Sequence, residues 1–193
     1  IALSRFSGCW VGIKVHNDVV EGGGSVRISP TEPHITIPDH SPAAHLGPAG
    51  FNTRLMDNPL IMEDRLYNHK LDAVTAFARA NPINVVSHPC PDARLGILSA
   101  GKAYQDLLQA FAELGLGDDT LRELGIRVGK IGMVWPLETE FIKGFVDGLE
   151  ACIVIEEKKG LIENQLKALL YDLPLARKPR IVGKFDGSNP FAP

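Results

Sequence analysis

The residue types best suited to chemistry are few in this 193-residue chain and lie far apart. Gly96-Ile-Leu-Ser-Ala-Gly-Lys102-Ala103 has the GxxxxGK spacing of a phosphate-cradling loop. That loop needs a Ser or Thr hydroxyl after its lysine to ligate magnesium, and Ala103 supplies none. Gly96 also falls inside a predicted strand, with Ile97 and Leu98 destined for a core, so nucleotide hydrolysis is not expected. A weaker use stays open. Ser99, Gly101 and Lys102 put small residues and a cation at a helix start, where an anion can sit; the plain alternative is a tight strand-to-helix turn with a solvated lysine. Glu156-Glu157-Lys158-Lys159 follows an apolar run directly. A carboxylate there can act as a general base or meet a cofactor ring nitrogen. It can equally cap the next helix, with Glu157 favoured near the helix start and its charged neighbours solvated. Trp135-Pro136 reads either as an interface anchor or as the lid of a core.

Other catalytic signatures are missing. The sequence contains no GxGxxG, GxSxG or HExxH. All six histidines lie at or before His88, so a Ser–His or Cys–His pair within the later part of the chain is not expected. His34, His40 and His45 fall in a proline-rich stretch without the i, i+4 pairing of a helical metal site, and solvated loop histidines are the simpler reading. Cys9, Cys90 and Cys152 share no CxxC spacing, and three thiols make neither a complete disulfide framework nor a four-cysteine cluster. A reducing, cytoplasmic compartment is expected, and Cys152 reads as a small core hydrophobe.

The elements that must carry these residues follow from periodicity. Phe6, Trp10 and Ile13 fall at i, i+4 and i+7, predicting an N-terminal helix that Gly22-Gly23-Gly24 ends. A lone helix with an exposed Trp and Phe needs a surface to cover, so the chain reads as a piece of a longer polypeptide. Pro30, Pro33, Pro38, Pro42 and Pro48, with Gly47 and Gly50, predict an extended connector from Ser25 to Pro59. Leu71, Val74 and Phe77 give a helix over Arg65 to Ala80, stopped by Asn81-Pro82. Thereafter strands and amphipathic helices alternate. Strands are predicted at Ile83–Val86, Leu95–Leu98, Ile126–Ile131, Ala151–Ile155 and from Arg180; a helix carrying Leu107, Leu108, Phe111 and Leu114 follows the second strand, with others at 118–124, 138–148 and 161–170. Strands apolar on both faces, separated by such helices, call for helices on both sides of a mostly parallel sheet. The expected organisation is a terminal helix over 1–24, a connector and helix over 25–81, and an α/β domain over 82–193. In such sheets ligands sit beyond the carboxyl ends of the strands, where the loops holding Lys102, Trp135 and Glu156 fall.

A composition of 45% hydrophobic and 22% charged residues excludes disorder throughout. The net charge of −3 offers no basic face for nucleic acid. No run of eighteen apolar residues is present to span a membrane, and no signal peptide is recognised.

Five segments in order carry a resemblance: Ala2-Leu-Ser-Arg-Phe-Ser-Gly-Cys-Trp-Val-Gly-Ile-Lys14, Leu98-Ser-Ala-Gly-Lys-Ala-Tyr104, Trp135-Pro-Leu137, Val154-Ile-Glu-Glu-Lys158 and Gly183-Lys-Phe-Asp186. Together they resemble the thiamine-dependent 2-oxoacid:ferredoxin oxidoreductases, most nearly the long fused indolepyruvate branch of proteobacteria. The resemblance implies that the first helix closes a thiamine pyrimidine-binding domain. It further implies that residues from about 83 form a domain like the transketolase C-terminal domain, a three-layer α/β/α sandwich whose five-stranded mixed sheet has an antiparallel first strand. Thiamine diphosphate, magnesium, iron–sulfur clusters, ferredoxin, coenzyme A and a homodimeric assembly are implied for the parent enzyme. No catalytic residue is implied for this stretch, which would be a structural and interface domain. A small-ligand or anion-binding regulatory domain is the competing expectation.

Overall fold

The structure is a computed structural model, and it describes residues 1–27, 29, 34–40, 50–52, 54–174 and 177–185. Most of the connector's prolines, His45 and Asp186 lie outside the described residues. The chain divides into two compact units, Ile1–Asn81 and Pro82–Pro193.

In the first unit, α1 spans Ala2–Ser7 and α2 spans Asn17–Glu21. The predicted single helix through residue 21 is not formed. Gly8 adopts φ 68°, a left-handed stop that its missing Cβ permits, and an added Cβ would lie 2.9 Å from the Phe51 carbonyl oxygen. The Ser4 hydroxyl then donates to the Cys9 carbonyl at 2.7 Å, satisfying the backbone beyond the stop. Phe6 packs beside buried Phe51 and Ala73, whereas Trp10 is fully exposed, so these two do not share a face.

Helix α3 spans Pro59–Arg65, a π-helical turn covers Leu66–Lys70, and α4 spans Leu71–Ala80. The helical stretch therefore starts six residues before the expected Arg65. Asn58 caps it, accepting from the Leu60 amide at 2.9 Å, with Pro59 at the first helical position where no amide is needed. At the far end Asn81 donates to the carbonyls of Phe77 and Thr36, at 2.9 and 2.8 Å, and accepts from the Thr36 amide. Among the described connector residues, 34–40 hold neither helix nor strand, as the prolines require. His40 is half-buried there, stacked on Phe51 with ring centroids 6.1 Å apart, which corrects its reading as a solvated loop histidine.

The second unit is a three-layer α/β/α sandwich. Its elements in order are β1 (Val85–His88), β2 (Leu95–Ala100), α5 (Gly101–Glu113), α6 (Asp118–Glu123), β3 (Ile126–Ile131), α7 (Thr139–Val146), β4 (Ala151–Ile155), α8 (Leu161–Leu169) and β5 (Arg180–Val182). The sheet order is β1-β3-β2-β4-β5, parallel except for β1, which pairs antiparallel with β3 through Val85↔Lys130. The mostly parallel five-stranded sheet with an antiparallel first strand is thus present, although that strand sits two residues later than expected.

Period-2 alternation divides the core. On one face Leu98, Ile131, Cys152 and Val154 meet Ile142, Phe145 and Val146 of α7 and Ile162 and Leu166 of α8. On the other, Ile97 and Val128 meet Tyr104, Leu107 and Phe111 of α5 and Leu121 of α6. Phe145 reaches the backbone of two adjacent strands because both lack a Cβ there. One added at Gly96 would lie 2.9 Å from its Cε1, and one added at Gly129 would lie 2.8 Å from its Cε2. Among the described residues no helix is long and apolar enough to cross a membrane.

Candidate functional site

The three parallel strands β2, β3 and β4 bring the predicted loops to one edge of the sheet. Their register pairs Ala100 with Ile131 and Ser99 with Ile155, so the strands end level. The polar groups at this edge are turned to building the fold. Ser99 is fully buried, and its hydroxyl donates to the Ile155 carbonyl at 3.0 Å, tying β2 to β4. Gly101 takes φ 56°, the sharp turn into α5. Lys102 reaches down its own helix to both carboxylate oxygens of Asp106, at 2.8 and 2.7 Å. The near-match to a phosphate loop is a strand-to-helix turn whose lysine is engaged by an i+4 carboxylate.

After β3, Asn84 accepts from the Gly132 and Met133 amides at 2.9 and 3.0 Å, closing the strand end. The following loop is held from below by Gln165 of α8. Its amide donates to the carbonyls of Val134 and Leu161, at 2.9 and 3.0 Å, and its oxygen accepts from the Leu137 amide at 3.1 Å. Met133 and Leu137 are buried, while Val134 and Trp135 face outward. Trp135 is more than half exposed, so its reading as the lid of a core does not hold. Glu138 is buried and caps α7, accepting from the Glu140 and Phe141 amides at 3.2 and 2.6 Å.

After β4, Glu156 caps α8 with both oxygens, accepting from the Ile162 and Glu163 amides at 2.8 and 3.1 Å. Sequence reasoning favoured Glu157 for that place, but Glu157 is exposed in the loop. The reason is geometric. The chain makes its turn over 157–160 before α8 begins, so the side chain nearest the strand end is the one facing the helix N-terminus.

The most consequential carboxylate was not singled out in the sequence. Glu163 is fully buried, and it accepts from the Lys184 amide at 2.8 Å, the Phe185 amide at 3.3 Å and the Lys167 ammonium at 2.5 Å. It fits because two glycines leave room. A Cβ added at Gly183 would lie 2.5 Å from the Glu163 Cδ, and one at Gly160 would lie 2.9 Å from its Oε2. The segments around Glu156 and Gly183 therefore meet on one buried carboxylate. The visible signal was the glycine pair, not the glutamate, because acids in a helix's first turn are ordinarily exposed.

Two further groups bear on chemistry. Ser87 lies 3.1 Å from His88 Nδ1, and His88 Nε2 lies 3.4 Å from Asp118 Oδ1, a juxtaposition the sequence reading did not find. The Ser87 hydroxyl also faces the Val128 carbonyl at 3.3 Å within the β1–β3 ladder, and the His88 ring stands edge-on to Phe111, so these contacts tie β1 to α6. Cys152 is fully buried mid-strand, and burial pushes its thiol up to about 12, leaving it protonated and inert near neutrality.

The sequence model of the indolepyruvate ferredoxin oxidoreductase middle domain matches residues 83–190. The chain belongs to this family. The indolepyruvate oxidoreductase subunit IorA of Thermococcus kodakarensis is 29% identical over 115 residues, which cover 60% of this chain and 16% of the relative. The chain thus spans about a sixth of that relative's length. A 2-oxoglutarate:ferredoxin oxidoreductase from Magnetococcus marinus, with 2-oxoglutarate, coenzyme A and succinyl-CoA bound, is similar at 14% identity and a TM-score of 0.41, over 69% of this chain and 21% of that one. A split-gene transketolase, described as an inactive β4 tetramer, is similar at 17% identity and a TM-score of 0.40, over 52% and 31%.

The family's name raises the question of an iron–sulfur group, and the donor set here does not fit one. A cluster needs four thiolates; this middle domain holds Cys90 and Cys152, both buried, and Cys9 lies in the other unit. No group of three or more His, Cys, Asp or Glu is placed to hold a metal among the described residues.

Proposed function

We propose that residues 83–193 form a non-catalytic structural and interface domain of a longer indolepyruvate-type 2-oxoacid:ferredoxin oxidoreductase. The observation that carries this reading is the use of the polar groups at the sheet's carboxyl edge. Ser99, Glu138, Glu156 and Glu163 are spent on backbone carbonyls and amides, while Val134, Trp135 and Leu161 are presented outward on a frame fixed by Gln165. A carboxylate that accepts two backbone amides is held in place as a helix cap or a loop tie, where its oxygens serve the fold. An exposed tryptophan held on a pinned loop is instead the usual anchor of a protein–protein contact.

In this reading the parent enzyme decarboxylates an arylpyruvate or related 2-oxoacid oxidatively in the cytoplasm, passing electrons to ferredoxin and the acyl group to coenzyme A. Thiamine diphosphate, magnesium and the iron–sulfur clusters belong to other parts of a homodimeric polypeptide, and residues 1–24 belong with its pyrimidine-binding domain. The anion-binding alternative is not favoured, since Lys102 is turned toward Asp106. The test is steady-state turnover of the native polypeptide carrying Lys102→Ala and Glu157→Gln. We expect kcat to stay within a factor of about two, since general acid–base roles are worth ~10²-fold or more. A loss of that larger size would place catalysis on this edge and end the proposal.

A further inference from the structure

We propose that α3 and the turn before it form the docking surface through which this chain packs against another folded part of the same long polypeptide. The inference rests on the reading above that the chain works inside a longer enzyme. It assigns the main contact to a region of the first unit that the sequence reading passed over.

The observation is a helix built inside out. In Pro59–Arg65 the buried side chain is Arg65, 2% exposed, while Leu60 is 72% exposed and Ile61 and Met62 also face solvent. The π-helical turn continues the pattern: Lys70 is buried and donates to the Gly8 carbonyl at 3.0 Å, and Tyr67 is 57% exposed. Just before the helix, Leu55 and Met56 are 100% and 92% exposed. A surface helix normally turns an apolar stripe inward and its charges outward; here Leu60, Ile61 and Met62 stand on the outside beside exposed Glu63 and Asp64, which leaves an apolar patch with an acidic margin to be covered.

This arrangement is fixed, not frayed. Arg65 forms an ion pair with Asp57 and donates to the Asn52 carbonyl at 3.4 Å, gripping both ends of the turn that carries Leu55 and Met56. The guanidinium hydrogen bond also holds the Asp57 carboxyl below its ordinary range. Asp57 in turn accepts from the Arg54 amide at 3.3 Å. A buried arginine anchors the segment so that its apolar side chains have only the outside to occupy.

Size and length identify the occupant. Leu55, Met56, Leu60, Ile61, Met62 and Tyr67 together expose an area on the order of the ~800 Å² each partner gives a standard interface. That is more than a short peptide covers, and it calls for a folded apolar surface with few charges at its centre. In the IorA relative the matching region is 16% of the length, and on the reading above the rest of the long polypeptide supplies such a surface.

The test is carbene footprinting of residues 55–67 in the native polypeptide and in the 193-residue chain, each over a range of concentrations. We expect labelling of this peptide to be several-fold lower in the native polypeptide and unchanged on dilution. Leu60→Lys in the native polypeptide should restore it, with labelling of 134–161 unaffected. Should that variant fail to accumulate, Tyr67→Ser provides the same readout. Equal labelling in both preparations overturns the proposal. So does protection that disappears on dilution, which would make the occupant a second copy. In the unsubstituted native polypeptide, absence of protection at 55–67 with 134–161 still covered breaks this inference alone, whereas a native polypeptide no longer than this chain breaks the functional reading as well.

Discussion

Helices α7 and α3 solve opposite problems with similar compositions. In α7, Ile142, Phe145 and Val146 point into the sheet, and Lys143 and Glu140 pair in solvent at 3.1 Å. In α3, Arg65 points inward and the leucine, isoleucine and methionine point out. The first helix is complete within its unit; the second is complete only when something covers it. The contrast teaches that burial of apolar surface is a property of the whole polypeptide. A helix with its arginine inside and three large apolar side chains outside is read more usefully as half of an interface than as a defect.

The comparison can be broken by substitution. Phe145→Ala should destabilise the second unit by about 3–5 kcal/mol in denaturant unfolding, since the ring, with Leu149 and Leu98 beside it, fills the space over Gly96 and Gly129. A cost under about 1 kcal/mol would mean that the helix is not closing the core. Next in size is the buried carboxylate: Glu163→Gln should cost about 1–3 kcal/mol by disturbing its bonds to the Lys184 and Phe185 amides. Gly183→Ala should fall in the same range because its Cβ would displace Glu163. Hydrogen exchange at residues 184 and 185 checks both, and unchanged protection there would remove Glu163 from its role.

A third effect is read in alkali. The Cys152 thiol is raised from 9.0 to about 12 in the folded chain. Below about pH 9 both states hold the proton, so this group's contribution is fully present. From there toward pH 12 the unfolded chain releases a proton that the folded chain keeps, and stability falls as pH rises, by about 1.4 kcal/mol per pH unit at most. Cys152→Ala should flatten that slope, and an unchanged slope would deny the thiol its burial. The smallest effect belongs to the inside-out helix. Leu60→Lys in the 193-residue chain should change unfolding free energy by no more than ~0.5 kcal/mol, as for other exposed positions. A large loss there would show that Leu60 is already covered and would erase the contrast.

Much of the second unit was legible because β2 and β4 are largely apolar on both faces, β3 keeps Ile126, Val128 and Ile131, and the helices between them are periodic. The first unit was less so, for identifiable reasons. Phe6, Trp10 and Ile13 keep helical spacing by coincidence, and the periodicity is overruled at Gly8, where the Phe51 carbonyl leaves no room for a side chain. The start of α3 carried its signal in Asn58-Pro59, an N-cap followed by proline at the first helical position, but Leu60-Ile61-Met62 does not alternate as a surface helix does. At the candidate site, Lys102, Trp135 and Glu156 were correctly placed on one sheet edge by topology. Their uses were not legible, because whether a carboxylate caps a helix or faces a ligand depends on which amides the following turn presents. Glu163 and Gln165 were invisible for the same reason: their partners come from other loops.

The central proposal is a non-catalytic domain of a longer oxidoreductase, and the most direct measurement is the mass and cofactor content of the native polypeptide captured with an antibody to this chain. The account predicts a polypeptide several times the 21.0 kDa of this one, carrying iron and thiamine diphosphate. A native chain of about 21.0 kDa with neither would contradict it.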